Sequence, residues 1–525
     1  MKKRPLSYAV LAVFVCIFAF YIYSITKNEK SIHSNTHDKI YLGFESKVST
    51  FDPRIIGLDP NSQYIEELRF LPLISFDEGG NIKNMLAQSI MPKSNKSWQI
   101  KLKKGILFAS GEEITTDDVL ATYQAIMNPA FGFPVSPRRG AFKNVTKFEK
   151  INGDEIYIEL KEPDASFINN LVIGILPQVA VSKALPNDVN DKNYESGPFI
   201  LKKWSDTELA LFKNEKYNLT SQAKVTEVNF KIIPDAGTRY AALIKGDIDI
   251  IQNSLDPDKI NTIEKEMPKK YHVYKQTKLA TTYLGINFRD PKLKNLKVRQ
   301  ALASAIDIKS ILQYRLHSDE DPATSMFPQE NFYFDKDIPQ VPYNPEKARQ
   351  DLKESGIPLP ISLSLKVSSS NKSTLEVAKA IAGNLAAVGF TPKVETLENS
   401  IFQEQIRRGI SQVWIAPWTG FKDPDHLRFV FASDMVPPNG GNRGAYSNAD
   451  LDKLFQQGRE ELVSAKRKEI YDKAQQIIAA EVPYIFLWHG KNLAVVSSSI
   501  EGFKLYADGR YWSLIDASKK LSTKD

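Results

Sequence analysis

Between residues 361 and 397 a strand pattern, a helix pattern and a second strand pattern follow one another directly, and nothing else in the chain restricts its fold as much. Residues 362–367 read as a strand, 375–388 carry apolar side chains at helical spacing up to Gly389, and 393–397 read as the next strand. A strand–helix–strand crossover lays its two strands parallel in one sheet with the helix on a face, which commits this region to an α/β architecture. The same vocabulary recurs upstream. Residues 98–103 and 155–160 alternate apolar and polar, as half-buried strands do. Thr115-Thr-Asp-Asp118 is a capping box, followed by Val119, Leu120, Tyr123 and Ile126 at helical spacing before Pro129. A strand at 227–233 leads into a helix holding Tyr240, Ala241 and Leu243 and closed by Gly246. With 525 residues the chain is long enough for several domains. No fixed-period repeat or low-complexity tract interrupts it, and proline clusters at 321–345 and 434–444 predict long surface loops.

The amino terminus sets the compartment. Lys2-Lys3-Arg4 precedes an apolar run over residues 8–25 with Ser24 as its one small polar member. Eighteen residues at 1.5 Å rise span ~27 Å, enough to cross a bilayer core. The exit from the run, Phe20-Tyr-Ile-Tyr-Ser24, is bulky and a poor cleavage site, and Val15 before Cys16 is unsuited to a lipoprotein signal. Residues 1–27 are therefore expected to be a membrane anchor, with a cleaved signal as the alternative, 28–38 a polar tether and all that follows outside the cytoplasm. Four of the seven excess positive charges (Lys2, Lys3, Arg4, Lys27) sit in or beside this segment. The remaining +3 is too balanced for a nucleic-acid footprint.

Catalytic and metal chemistry find little support. The single cysteine, Cys16, lies in the apolar run, which excludes a disulfide scaffold, a Cys-ligated zinc and thiol catalysis. There is no G-x-S-x-G elbow, phosphate loop or H-E-x-x-H. His33 and His37 fall in the tether; His272, His317, His426 and His489 are scattered. His489, after Trp488, reads as a satisfied histidine at a strand end. No cofactor, metal or catalytic residue is expected.

Several segments, in one order from Ser49 to Tyr484, resemble the family 5 extracellular solute-binding proteins, the peptide receptors of ABC importers. Ser49-Thr-Phe-Asp-Pro53 is similar to the family's early T-L-D-P turn. Met85-Leu-Ala-Gln-Ser-Ile90, Ser97-Trp98, Leu102-Lys-Lys-Gly-Ile-Leu-Phe108, Gly111 and Thr115–Val119 resemble its signature stretch, which departs at Ala109-Ser110. Glu195-Ser-Gly-Pro-Phe199 with Trp204, Arg239 with Gly246-Asp-Ile-Asp249, Tyr283-Leu-Gly-Ile-Asn287 and Val298-Arg-Gln-Ala-Leu302 continue the series. Asn344-Pro-Glu-Lys-Ala-Arg349 and Pro483-Tyr484 complete it.

The resemblance implies a two-lobed periplasmic-binding-protein-like fold of type II, cluster C, with an extra subdomain inserted in lobe one. By analogy, lobe one comprises 39–71, 190–275 and 490–525, the insert 72–189, and lobe two 276–489. Crossings near 275–284 and 488–493 would form the hinge. It also implies a monomeric receptor that captures a peptide or peptide-like solute and delivers it to an ABC permease in the cytoplasmic membrane. A membrane-tethered sensor ectodomain is the alternative.

In peptide-binding relatives a Trp-rich stretch of lobe two carries an aspartate that pairs with the peptide's amino terminus. The matching stretch here is Trp414-Ile-Ala-Pro-Trp-Thr-Gly-Phe-Lys-Asp-Pro-Asp425. Where relatives place that aspartate, this chain has Phe421 and Lys422 and is one residue shorter. An unpaired buried ammonium is costly, so the departure argues against capture by the amine, and Lys422 would suit a carboxylate or another anion, or else be simply solvated in its loop. Trp418 is either a lid over the ligand or a core aromatic; Trp414 is expected in the core. Asp423 and Asp425 are expected to cap a helix starting at His426 first and to bind ligand second. Tyr283 and Asn287 beside the hinge, and Arg443 in a glycine-rich loop, complete the candidates.

Overall fold

The computed structural model describes residues 38–520 apart from 58, 78–79, 129–134, 182–193, 316–319 and 371; the apolar run and most of the tether lie outside the described residues. The crossover at 361–397 forms as its pattern dictates. Strand Ile361–Ser368 pairs in parallel with Phe390–Leu397, and helix Lys372–Ala386 joins them. Gly389 follows with φ of +123°, a turn that costs glycine little and a β-carbon much.

These strands belong to one eleven-stranded sheet that runs through the molecule. In chain order its main members are β1 (Lys39–Phe44), β2 (Phe199–Trp204), β3 (Glu208–Lys213), β4 (Glu227–Ile232), β5 (Ile250–Gln252), β6 (Tyr271–Ile286), β7 (Ile361–Ser368), β8 (Phe390–Leu397), β9 (Val413–Thr419) and β10 (Tyr484–Ser497). They pair in the order β8-β7-β9-β6-β10-β5-β1-β4-β3-β2, with Asp321–Pro322 added to β10. β6 and β10, sixteen and fourteen residues long, are the spine. Their pairing runs from Tyr271↔Ser497 to Gly285↔Tyr484, broken by register shifts between Thr277 and Thr281 and between Thr282 and Tyr283.

Separate hydrophobic cores flank the two ends of that spine. One gathers Ile40, Phe44, Leu68, Phe199, Phe230, Val496 and Leu514; on the other side, Leu284, Leu302, Leu365, Ile381 and Leu487 form a second. A third core, with Trp98, Tyr123, Phe148 and Phe167, lies under a four-stranded antiparallel sheet of residues 87–102 and 145–160. Helix Thr116–Met127 packs there, opened by the capping box. Thr115 Oγ1 accepts from the Asp117 N–H at 3.2 Å, and the Asp118 carboxylate accepts from the Thr115 N–H at 2.8 Å.

A fully buried ion pair between Arg69 and Glu195 ties the helix Pro60–Arg69 to the entry of β2, where Glu195 also accepts from the Leu201 N–H at 2.8 Å. Gly197 lies against the same helix end, and a β-carbon there would collide with the Leu68 carbonyl. Because that obstacle is backbone it cannot swing aside. Gly197→Ala is expected to lose ~2 kcal/mol of stability by overpacking, read as a lower urea midpoint; an unchanged midpoint would show that the junction is loose.

Two local expectations change. The proline-rich stretch at 321–345 begins inside the protein: Asp321–Pro322 pairs with β10, and Met326 and Phe327 are fully buried. Proline marks irregular backbone but says nothing about which side chains it carries inward. β10 does not end at His489, which sits within the strand with Nδ1 3.0 Å from Thr281 Oγ1.

Candidate ligand-binding site

The site is built on β9 and the loop after it, residues 413–425. β6 pairs with β9 along its whole length, from Ile286↔Val413 to Ala280↔Thr419. On the other edge β7 reaches only Val413 and Trp414. Among the described residues, no strand pairs with the other edge of residues 415–419. The Gly420 N–H donates to the Leu279 carbonyl at 2.8 Å, which fixes the phase of the ladder. Hydrogen-bonded pairs alternate in an antiparallel ladder, so Trp414, Ala416 and Trp418 turn their backbone to β6. Ile415, Pro417 and Thr419 turn theirs to the open edge. Proline, which has no N–H to give, occupies such a position at 417.

A cavity of about 600 Å³ runs along that edge. Its walls come from both ends of the spine: Ile260 and Lys278 on one side, Ser370, Asn399 and Phe402 on the other, with Trp488 between. Burial lowers the proton affinity of the Lys278 ammonium, and Glu320 partly opposes this. The space thus offers an extended main-chain edge, hydroxyl and amide groups, and a cation. That chemistry suits the backbone and carboxylate of a short extended chain.

The opposite face of β9 is aromatic. Tyr283 stacks on Tyr484 with ring centroids 4.2 Å apart and lies parallel to Trp418 at 6.1 Å. The Arg443 guanidinium sits 4.6 Å from the centre of the Trp418 ring, with Nη1 3.5 Å from the Tyr283 hydroxyl. Sequence reasoning named Tyr283, Trp418 and Arg443 separately, and the fold brings them into one stack. Tyr283 is fully buried in it, and Trp414 is buried as expected.

The loop residues have distinct roles. Phe421 is buried against Phe327 and His426. Lys422 reaches away from β9, with Nζ 3.1 Å from an Asp508 oxygen and 4.2 Å from the centre of the Phe76 ring. Lys422 borders cavities of about 520 and 530 Å³. Burial alone would raise the Asp508 carboxyl, but Lys422 and Arg510 outweigh it and hold the group well below the usual carboxylate range.

The Asp425 side chain makes no cap to the His426–Phe431 helix, and Asp423 reaches only its entry, where Oδ1 accepts from the Asp425 N–H at 2.8 Å. Asp423 also accepts two hydrogen bonds from Arg467, at 2.8 and 2.7 Å, and one from the Asn169 amide at 2.8 Å. Burial would lower the Arg467 guanidinium, yet Asp423 raises it above its ordinary value. Asp425 accepts from the Tyr471 hydroxyl at 2.9 Å, and burial, with Asp423 and Asp164 adding to it, pushes its carboxyl up to about 6. Burial lowers His426 to about 4. The helix is only six residues long, and partners of higher sequence separation win both carboxylates.

Asn287 is committed elsewhere: its amide donates to the Gly409 and Ser411 carbonyls at 2.8 and 2.9 Å, locking the chain just before β9. Asp508, Arg467, Phe76 and Asn169 were not singled out from the sequence. They lie 44 to 346 residues from the loop positions they touch, with no spacing to betray them. Among the described residues no group of three or more His, Cys, Asp or Glu side chains is placed to hold a metal ion, and no helix is long and apolar enough to cross a membrane.

Residues 81–434 match the model of the bacterial extracellular solute-binding proteins, family 5 Middle. The oligopeptide-binding protein AppA of Bacillus subtilis is 28% identical, over 98% of this chain and 99% of its own. The structure of that protein in complex with a nonapeptide superposes with a TM-score of 0.71 at 26% identity, covering 92% of this chain and 99% of the other. HbpA2 from Haemophilus parasuis shares the fold at a TM-score of 0.84 and 23% identity, covering 92% of this chain and 100% of the other. The α/β architecture, the two-lobed type and the order of motifs all agree, and the chain belongs to the family 5 bacterial extracellular solute-binding proteins.

Proposed function

We propose that this chain captures peptides or peptide-like solutes outside the cytoplasm and delivers them to an ABC permease in the cytoplasmic membrane. The observation that carries the reading is the end-to-end match to an oligopeptide-binding protein, over 98% of one chain and 99% of the other. The unpaired edge of residues 415–419 beside a cavity of about 600 Å³ supports it, because such an edge binds any main chain of suitable length. Lobe one (39–71, 190–275, 490–525), carrying the insert (72–189), closes on lobe two (276–489) by twisting β6 and β10 where their register shifts. The receptor is a monomer, tethered by residues 1–27. Relatives that bind peptides favour delivery over a sensor ectodomain, and the family is one of binding proteins rather than enzymes. Native mass spectrometry of the full-length protein, extracted from membranes, tests the reading: heterogeneous short peptides should accompany it, and a uniformly empty protein that binds none on addition would overturn it.

The mode of anchoring gives a second expectation. With Asp423 held by Arg467 and Asp425 by Tyr471, neither carboxylate is poised for a ligand amine. Free and N-acetylated forms of one peptide should bind within about threefold of each other, since a charge-assisted hydrogen bond of ~1.5–3 kcal/mol is missing. A ten- to hundredfold loss on acetylation in isothermal titration, abolished by Asp423→Asn, would restore an amine-reading site.

A further inference from the structure

Lys422 does more than remove an amine-binding group. Its ammonium is held by a carboxylate, Asp508, and by the face of an aromatic ring, Phe76, and those two features together make an ammonium site. The contacts join three distant parts of the chain: the loop after β9, residue 76 in the insert, and residue 508 near the carboxyl end. Lys422 itself borders two cavities, of about 520 and 530 Å³, so a cargo group can approach the position that its ammonium holds. Asp508 is further fixed by Arg510, whose Nε donates to Oδ1 at 2.8 Å, and Arg510 in turn lies 3.8 Å from Glu67. The cluster therefore sets two carboxylates, Asp508 and Glu67, against two cations, Lys422 and Arg510.

We propose that Lys422 is a specificity-determining residue: it fills an ammonium subsite formed by Asp508 and Phe76 and thereby excludes the free amine of the cargo. This rests on the peptide reading above and refines it, since the cargo's amine then stays outside the subsite and a blocked amine is accepted as readily as a free one. A cargo ammonium entering here meets a site already neutralised and must displace a tethered cation. Remove the lysine, and Asp508 and Phe76 remain with one positive charge lost.

The test uses the full-length protein and an equimolar mixture of random tripeptides in free and N-acetylated forms, with the bound population read by native mass spectrometry. The native protein should hold the two forms in a ratio near one. Lys422→Met, similar in length but uncharged, should favour the free-amine form at least tenfold. The preference should vanish again in Lys422→Met/Asp508→Asn, and Lys422→Arg, which keeps a cation in place, should behave like the native protein. Each variant is first required to melt within a few degrees of the native protein. An unchanged ratio in Lys422→Met, with peptides still bound, overturns the role of Lys422 and leaves the peptide reading intact. Failure of every form to bind to every variant overturns the peptide reading itself.

Discussion

Arg467→Met is expected to lower stability by ~3–5 kcal/mol, because it strands the Asp423 carboxylate in a largely dry site. The guanidinium is 6% exposed and its partner 17%, and its two ends are also anchored. Nε donates to the Gly458 carbonyl at 2.9 Å, while the cation lies 5.3 Å from the Tyr471 ring and 5.7 Å from that of Tyr333. Methionine replaces much of the aliphatic stem but none of these bonds. With the cation gone, Asp423 faces Asp425 two residues on, and like charges at that range oppose each other. The measurement is the urea midpoint at constant m value. A second substitution removes the stranded charge: Arg467→Met/Asp423→Asn should recover part of the loss, and the shortfall from additivity reports the coupling. A loss under 1 kcal/mol for the single variant would mean that water screens the pair.

Asp425→Asn works in the other direction and only at higher pH. The folded carboxyl titrates at about 6 against an unfolded value near 3.8, so the folded state holds its proton more tightly. Between those values the native protein loses stability as pH rises, and above 6 the cost of the buried charge is present in full. Two units correspond to ~3 kcal/mol. The amide avoids that cost while its oxygen still accepts from Tyr471. The variant should match the native protein at pH 4, gain across pH 4 to 6, and be ~3 kcal/mol more stable at pH 7. Comparing the two proteins cancels the opposite trend of His426, whose burial costs stability as pH falls below 6.5. A gain of equal size at pH 4 would show that packing, not charge, is responsible.

Local pattern made much of this molecule legible. The parallel pair β7 and β8, the capping box at Thr115 and the glycine stop at Gly246 all follow from side-chain chemistry within a few residues, and all are present. Motif order over the whole chain also disclosed the family. The site was harder, for a physical reason. Which partner wins Asp423 or Lys422 depends on contacts between segments hundreds of residues apart, and neither Arg467 nor Asp508 carries a mark that distinguishes it from a surface charge. Helix-capping chemistry was the natural local expectation for two aspartates before His426, and tertiary partners overrode it. Asn287 shows the converse: an amide in a recognisable motif turns out to fasten backbone, a role that sequence alone does not separate from ligand contact.

The open edge at 415–419 has a consequence for solubility. An unpaired strand edge is the surface through which proteins adhere to one another and grow into fibres, and most folds blunt or cover theirs. Here it lines a cavity of about 600 Å³, with proline at its midpoint. A folded neighbour cannot bring its own edge into so small a volume, whereas a single short extended chain can. The molecule can thus remain adhesive to oligomeric scraps of polypeptide and inert toward whole proteins, sorting the two by bulk alone.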